Sequence, residues 1–142
     1  MIDYTGHPLV DVGLATIAAN VKKSDVRTIT VEDMDIMVDY ISKHYFDDPV
    51  QSFIWSMFPN SAYTQPSIRK SKQKRERYIE TLKASYRPNA TALSETCVYC
   101  GAPANFRAFR EHIPLVGSIH ANNFYPDGKT GLPICGLHLL SL

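Results

Sequence analysis

Apolar positions recur at helical spacing through roughly the first 90 residues and lose that period afterwards. Leu9, Val10, Gly13, Leu14, Ile17, Ala18 and Val21 share one helical stripe. Pro8 suits the first turn of this helix, with Thr5 or His7 before it. Gly13 is a weak helical residue, so its presence predicts close packing against a neighbour. Thr30 is the predicted N-cap of a second helix, with Asp33 at the capping-box position. Met34, Met37, Val38, Ile41 and Tyr45 form its apolar face. Asp47-Asp48-Pro49 ends it and opens a third helix, because acidic residues suit the positive N-terminal end. Val50, Phe53, Ile54, Met57 and Phe58 are the predicted buried face there, with Trp55 pointing elsewhere. After a Pro59-Asn60-Ser61 loop, a fourth helix is predicted from about Ser67 to Tyr86. Ile68, Tyr78, Ile79 and Leu82 form its stripe, and Arg87-Pro88-Asn89 breaks it.

Beyond Pro88, glycine, proline and asparagine become frequent. Short strands and turns are expected from Cys97 onward. The predicted class is α+β. A mainly helical region, 1–90, is followed by a strand-and-loop module, 91–142, of treble-clef or ribbon-like type. Hydrophobic residues make up 44% of the 142, enough for a real core. The net charge of +1 names no partner, but its distribution is uneven. Arg69, Lys70, Lys72, Lys74, Arg75 and Arg77 face a single acid, Glu76, which points to phosphate contacts. Contacts of that kind position a nucleic-acid backbone and do not read its sequence. No stretch approaches the roughly 18 apolar residues of a membrane span. Met1-Ile2-Asp3-Tyr4 lacks the basic and apolar regions of a secretory leader, so a cytoplasmic protein is expected. Leu139-Leu140-Ser141-Leu142 reads as the first turn of a helix cut short.

Three cysteines are too few and too unevenly spaced for a disulfide framework. Cys97-x-x-Cys100 is a knuckle from which two thiolates reach one ion, and Gly101 supplies the positive φ of the turn. Cys135-x-x-His138 supplies a second pair, 34 residues further on. Four such ligands predict one structural zinc ion, with no open position for substrate. Between the pairs, Gly117-Ser118 permits close backbone approach, and Asn122 and Asn123 can pair with base edges. Gly128-Lys129-Thr130 resembles the end of a phosphate-binding P-loop. However, the first glycine of that pattern would fall at Asn123, so Pro126-Asp127-Gly128 is read as a tight turn between strands.

Tyr4-Thr5-Gly6-His7-Pro8-Leu9-Val10-Asp11-Val12-Gly13, together with the two ligand pairs, resembles the CXXC–CXXC family of CRISPR-associated proteins. These are large subunits of type I-A and I-B Cascade effector complexes. His138 stands where the family name implies cysteine, a conservative change for zinc. The family's proteins are several times longer, so the resemblance implies the N-terminal part of one. It further implies a non-catalytic subunit that binds crRNA and target DNA and contributes to recognition of the protospacer-adjacent motif. The implied partners are the handle-binding and backbone subunits, and a helicase-nuclease or a transposition adaptor.

A second resemblance is to zinc-bearing HNH endonucleases, through Cys97-x-x-Cys100-Gly101, Glu111-His112-Ile113-Pro114-Leu115, Asn122 or Asn123, and Cys135-x-x-His138. It implies His112 as the residue that activates water and Asn123 as the one that orients it. The metal-binding histidine of that pattern would follow the last zinc ligand, where this chain has Leu139.

Overall fold

The computed structural model describes residues 2–47, 49–113 and 128–142. Among them are six α-helices, a short 3-10 turn at Val26–Thr28 and one two-stranded sheet, with the helices dominating the N-terminal part. Helix α1, Pro8–Asn20, starts with proline in its first turn and His7 at the N-cap, without a side-chain cap. Asp11 reaches back instead, accepting the Thr5 amide at 2.7 Å, the Thr5 hydroxyl at 2.9 Å and the Gly6 amide at 2.9 Å. Val10, Leu14, Ile17 and Ala18 are its buried face, as the stripe requires. Helix α2, Val31–His44, has the predicted capping box. Asp33 N–H donates to Thr30 Oγ1, and the Thr30 amide donates back to Asp33 Oδ2 at 2.7 Å. Met34, Met37, Val38 and Ile41 are buried.

Helix α3, Val50–Met57, departs from its predicted face. Ile54 is buried together with Gln51, whereas Phe53 is 63% exposed and Met57 40% exposed. The reason is packing. Gln51 and Ile54 are buried, while Phe53 and Met57 line, together with Ile54, an apolar cavity of about 360 Å³ that Leu9 and Val12 of α1 also line. The single predicted fourth helix is two: α4, Pro66–Arg69, and α5, Lys72–Ser85. Ser71 interrupts them, because its hydroxyl accepts the Lys74 amide and starts a new helix.

Two strands follow, β1, Phe106–Ala108, and β2, Leu132–Ile134. They pair antiparallel with Phe106 opposite Ile134 and Ala108 opposite Leu132. Helix α6, Gly136–Ser141, closes the described chain and packs along α1 and α5. Glycine makes both approaches feasible. A Cβ on Gly13 would stand 1.6 Å from the Ser141 carbonyl oxygen, and one on Gly136 would stand 2.0 Å from the Ser85 carbonyl oxygen. The end of α5 is held further by Asn105, whose side-chain amide donates to the Ser85 carbonyl. Asp35 of α2 accepts from Tyr86 Oη at 2.8 Å and from Arg87 at 2.8 and 2.9 Å. The core is continuous across these joints. Val38, Ile79 and Leu82 pack in one cluster with Cys97, Ala108, Ile134 and Leu139. Among the described residues, no helix is long and apolar enough to cross a membrane.

Candidate metal centre

Residues 93–104 fold back on themselves to form the first half of the site. The Cys97 amide donates to Ala102 O at 2.7 Å and the Gly101 amide to Cys97 O at 2.9 Å, which closes the knuckle. Gly101 has a φ of +71°, where a side chain would be strained. Thr96 bridges Pro103, and the Leu93 amide donates to Ala104 O, so the knuckle sits at the tip of a narrow hairpin. The Val98 amide donates to Pro133 O at 3.0 Å and docks that tip on β2. The second half comes from α6. Cys135 is its N-cap and His138 lies in its first turn, three residues on, so both side chains leave the helix on one side.

Cys97, Cys100, Cys135 and His138 therefore converge. Their ligand atoms all lie within 4.8 Å of one another, close enough to bind one metal ion. Cys97 Sγ is 3.5 Å from His138 Nδ1, Cys135 Sγ is 3.2 Å from the same nitrogen, and Cys100 Sγ is 3.9 Å from Cys135 Sγ. Cys97 and His138 are buried, at 2% and 1% exposure, and Cys100 is open to solvent. His138 turns Nδ1 to the sulfurs, and its Nε2 is buried without a partner among the described residues.

The three thiols hold their protons unequally. Hydrogen bonds from Cys135, and then from His138 and nearby backbone amides, outweigh burial and bring the Cys97 thiol down to about 3. Cys135, facing that thiolate, is pushed up, and burial raises Cys100. A bound cation favours the ionised form of each sulfur. Three sulfurs and an imidazole form a donor set suited to such an ion.

Around the ligands, Tyr99 stands edge-on to His138 at 5.7 Å between ring centroids and to His7 at 5.2 Å. The turn at 5–7, ninety residues upstream, thus packs on the metal knuckle. Spacing alone did not reveal this contact. Tyr99 lies inside the CxxC motif, but nothing in the sequence ties it to His7.

The six cations do not share one face. Arg69 Nη2 donates to Gln51 Oε1 at 2.6 Å, and the Arg75 guanidinium lies 5.3 Å from the Phe46 ring centroid. Lys72 makes an exposed pair with Glu76 at 3.8 Å. Lys70, Lys74 and Arg77 are exposed and make no ion pair among the described residues. Gly117, Ser118, Asn122 and Asn123, like Pro126 and Asp127 of the expected turn, lie outside the described residues.

His112 lies four residues beyond β1. Its Nδ1 accepts the Phe109 amide at 3.3 Å and its ring meets Phe106 edge-on at 4.8 Å. Burial lowers its pKa, so the imidazole is neutral near pH 7. Leu139 is buried. Among the described residues, the Cys97–His138 group is the single cluster arranged to hold a metal ion. Compared with known proteins, the chain matches no protein-family model, no curated protein and no solved structure.

Proposed function

We propose that the ion is structural zinc and that the chain is a zinc-stabilised nucleic-acid-binding module without catalysis of its own. Tetrahedral zinc with ordinary bond lengths requires about 3.8 Å between sulfurs and about 3.6 Å between sulfur and nitrogen. The spacings of 3.9, 3.5 and 3.2 Å lie close to those values. A hairpin knuckle, two short strands and a helix carrying the second ligand pair in its first turn follow the order of a treble clef. Four protein ligands fill the zinc shell, so its role is to hold α6 against the hairpin.

The same reading extends to the resemblance. The chain acts as the N-terminal part of a Cascade large subunit of type I-B kind, binding crRNA and target DNA beside the handle-binding and backbone subunits. There it contributes to recognition of the protospacer-adjacent motif, ahead of a helicase-nuclease or a transposition adaptor. The observation that carries this reading is the contact of His7 with Tyr99. It joins the two stretches on which the resemblance rests into one packed surface. Lys70, Lys74 and Arg77 supply exposed charge for phosphates.

The test is binding of RNA and duplex DNA over a range of salt, with co-purification from a host expressing the neighbouring subunits. Replacing Lys70, Lys74 and Arg77 with glutamate is expected to lower the salt slope on duplex DNA by about 2 to 3. A short RNA of uniform length should elute with the chain and repeat-subunit proteins. Zinc-loaded protein that elutes alone, binds no nucleic acid and shows an unchanged salt response would refute the assignment.

The HNH reading draws on one observation, the placement of His112 just past β1, ahead of β2 and α6. Against it, the buried Leu139 offers no ligand where that family's catalytic metal needs one. Magnesium-dependent nicking that disappears in His112→Ala would favour it.

A further inference from the structure

The three sulfurs of the metal centre do not meet solvent equally. Cys97 is buried in the cluster of Val38, Ile79, Leu82 and Ile134. Cys135 is half-buried, and Cys100 is open to solvent at the tip of the hairpin. The residue after it, Gly101, has open space around it, so nothing shields that side of the turn. A dissolved oxidant therefore reaches Cys100 first.

The fate of an oxidised sulfur depends on which second sulfur stands beside it. Cys135 Sγ lies 3.9 Å from Cys100 Sγ, and the two must close by about 1.9 Å to bond. Cys135 sits at the N-cap of α6, and rotation of its side chain breaks no backbone hydrogen bond of the helix. Cys97 is the less available partner. Its sulfur accepts the Tyr99 and Cys135 amides and faces His138 Nδ1 at 3.5 Å.

We propose that the metal centre is a peroxide-responsive switch, in which Cys100 is oxidised first and then bonds to Cys135, with release of the zinc. This rests on the zinc reading above and adds to it a reversible second state of the same ligands. The Cys100 thiolate attacks one oxygen of hydrogen peroxide. The O–O bond breaks, and the departing hydroxide takes a proton to become water. The Cys135 thiolate then attacks the sulfenic sulfur of Cys100. The S–O bond breaks, and a second hydroxide leaves and is protonated to water. Two electrons pass from sulfur to peroxide, and the zinc keeps its charge. Only Cys97 and His138 are left as ligands, two of the four that a closed zinc site needs. The new bond joins the hairpin tip to α6 across 35 positions of the chain, in the place of the ion.

The test treats the full zinc-loaded chain with limiting hydrogen peroxide while a chromogenic chelator reads released zinc. Remaining thiols are alkylated in denaturant, and chymotrypsin, which cuts after Tyr99, separates Cys97 from Cys100 for mass mapping. The expected result is one zinc released for each disulfide formed, a Cys100–Cys135 link, and alkylated Cys97. A dithiol reductant with added zinc should restore the starting state. Cys100→His keeps a fourth ligand and removes the first thiol, so it should hold its zinc under peroxide that strips the unaltered chain. The mapping on the unaltered chain decides the matter whether or not this variant folds. Zinc loss without a disulfide, a link that includes Cys97, or peroxide consumed with the zinc retained overturns the switch and leaves the structural zinc standing. A purified chain that binds no zinc overturns both.

Discussion

Gly13→Ala probes the joint that links the N-terminal helix to the metal centre. The added methyl would stand 1.6 Å from the Ser141 carbonyl oxygen and 2.6 Å from its carbon, where 3.4 Å begins ordinary contact. The obstacle is backbone, so no side-chain rotation relieves it. Helices α1 and α6 must part by roughly 1.8 Å. Overpacking of this kind costs up to about 3 kcal/mol, against a gain of about 1 kcal/mol from replacing glycine in a helix. The net loss is about 2 kcal/mol, which lowers Tm by about 6 to 8 °C in a chain of this length. Because α6 carries His138 and metal sites tolerate displacements of only about 0.2 Å, zinc affinity falls as well. Thermal unfolding followed by circular dichroism, with chelator competition on the same samples, measures both effects. Gly101→Ala is the control. It adds strain at positive φ but meets nothing within 4 Å, so a loss of about 1 kcal/mol is expected. A Gly13→Ala protein that melts at or above the wild-type temperature would refute the close approach of α1 and α6.

Further outcomes follow from the same structure. The purified chain should carry about one zinc ion, and a strong chelator should remove amide protection from 93–108 and 132–141 before it affects α2. His138→Ala should abolish stoichiometric zinc binding, measured by metal analysis after dialysis. Leu14→Ala, at a fully buried position, should cost about 2 to 5 kcal/mol in denaturant unfolding. Asp33 is held below its ordinary 3.8 by the Lys23 ammonium and the Thr30 amide. Its contribution is fully present above the unfolded pKa and is lost as pH falls through the lower folded value. Asp33→Asn should therefore cost about 1 kcal/mol at pH 7 and flatten the acid limb of the stability curve.

Much of the helical lobe was legible because its information is local. The Thr30–Asp33 box and the stripe from Met34 to Ile41 express capping and period, and both form as read. The four metal ligands were legible for the same reason, since each pair is separated by two residues in the chain. The reading failed where two local tendencies competed. Ser71 can continue a helix or cap a new one, and capping the Lys74 amide won. On α3, the predicted apolar face lines a cavity, and period alone could not say which of its residues are buried there and which stay exposed.

The sequence by itself determined where α1 and α2 start, which four residues are the candidate metal ligands, and that cations cluster at 69–77. Those properties depend on neighbours within about one helical turn. Only the tertiary structure decided how the parts are joined. Gly13 admits the Ser141 carbonyl, Gly136 admits that of Ser85, and His7 meets Tyr99 beside the metal ligands. It also divided the cations, leaving Arg69 held by Gln51 of α3 and Arg75 over the Phe46 ring while Lys70, Lys74 and Arg77 face solvent. Each of these contacts joins residues distant in the chain, so it depends on how whole helices pack, and no local pattern encodes it.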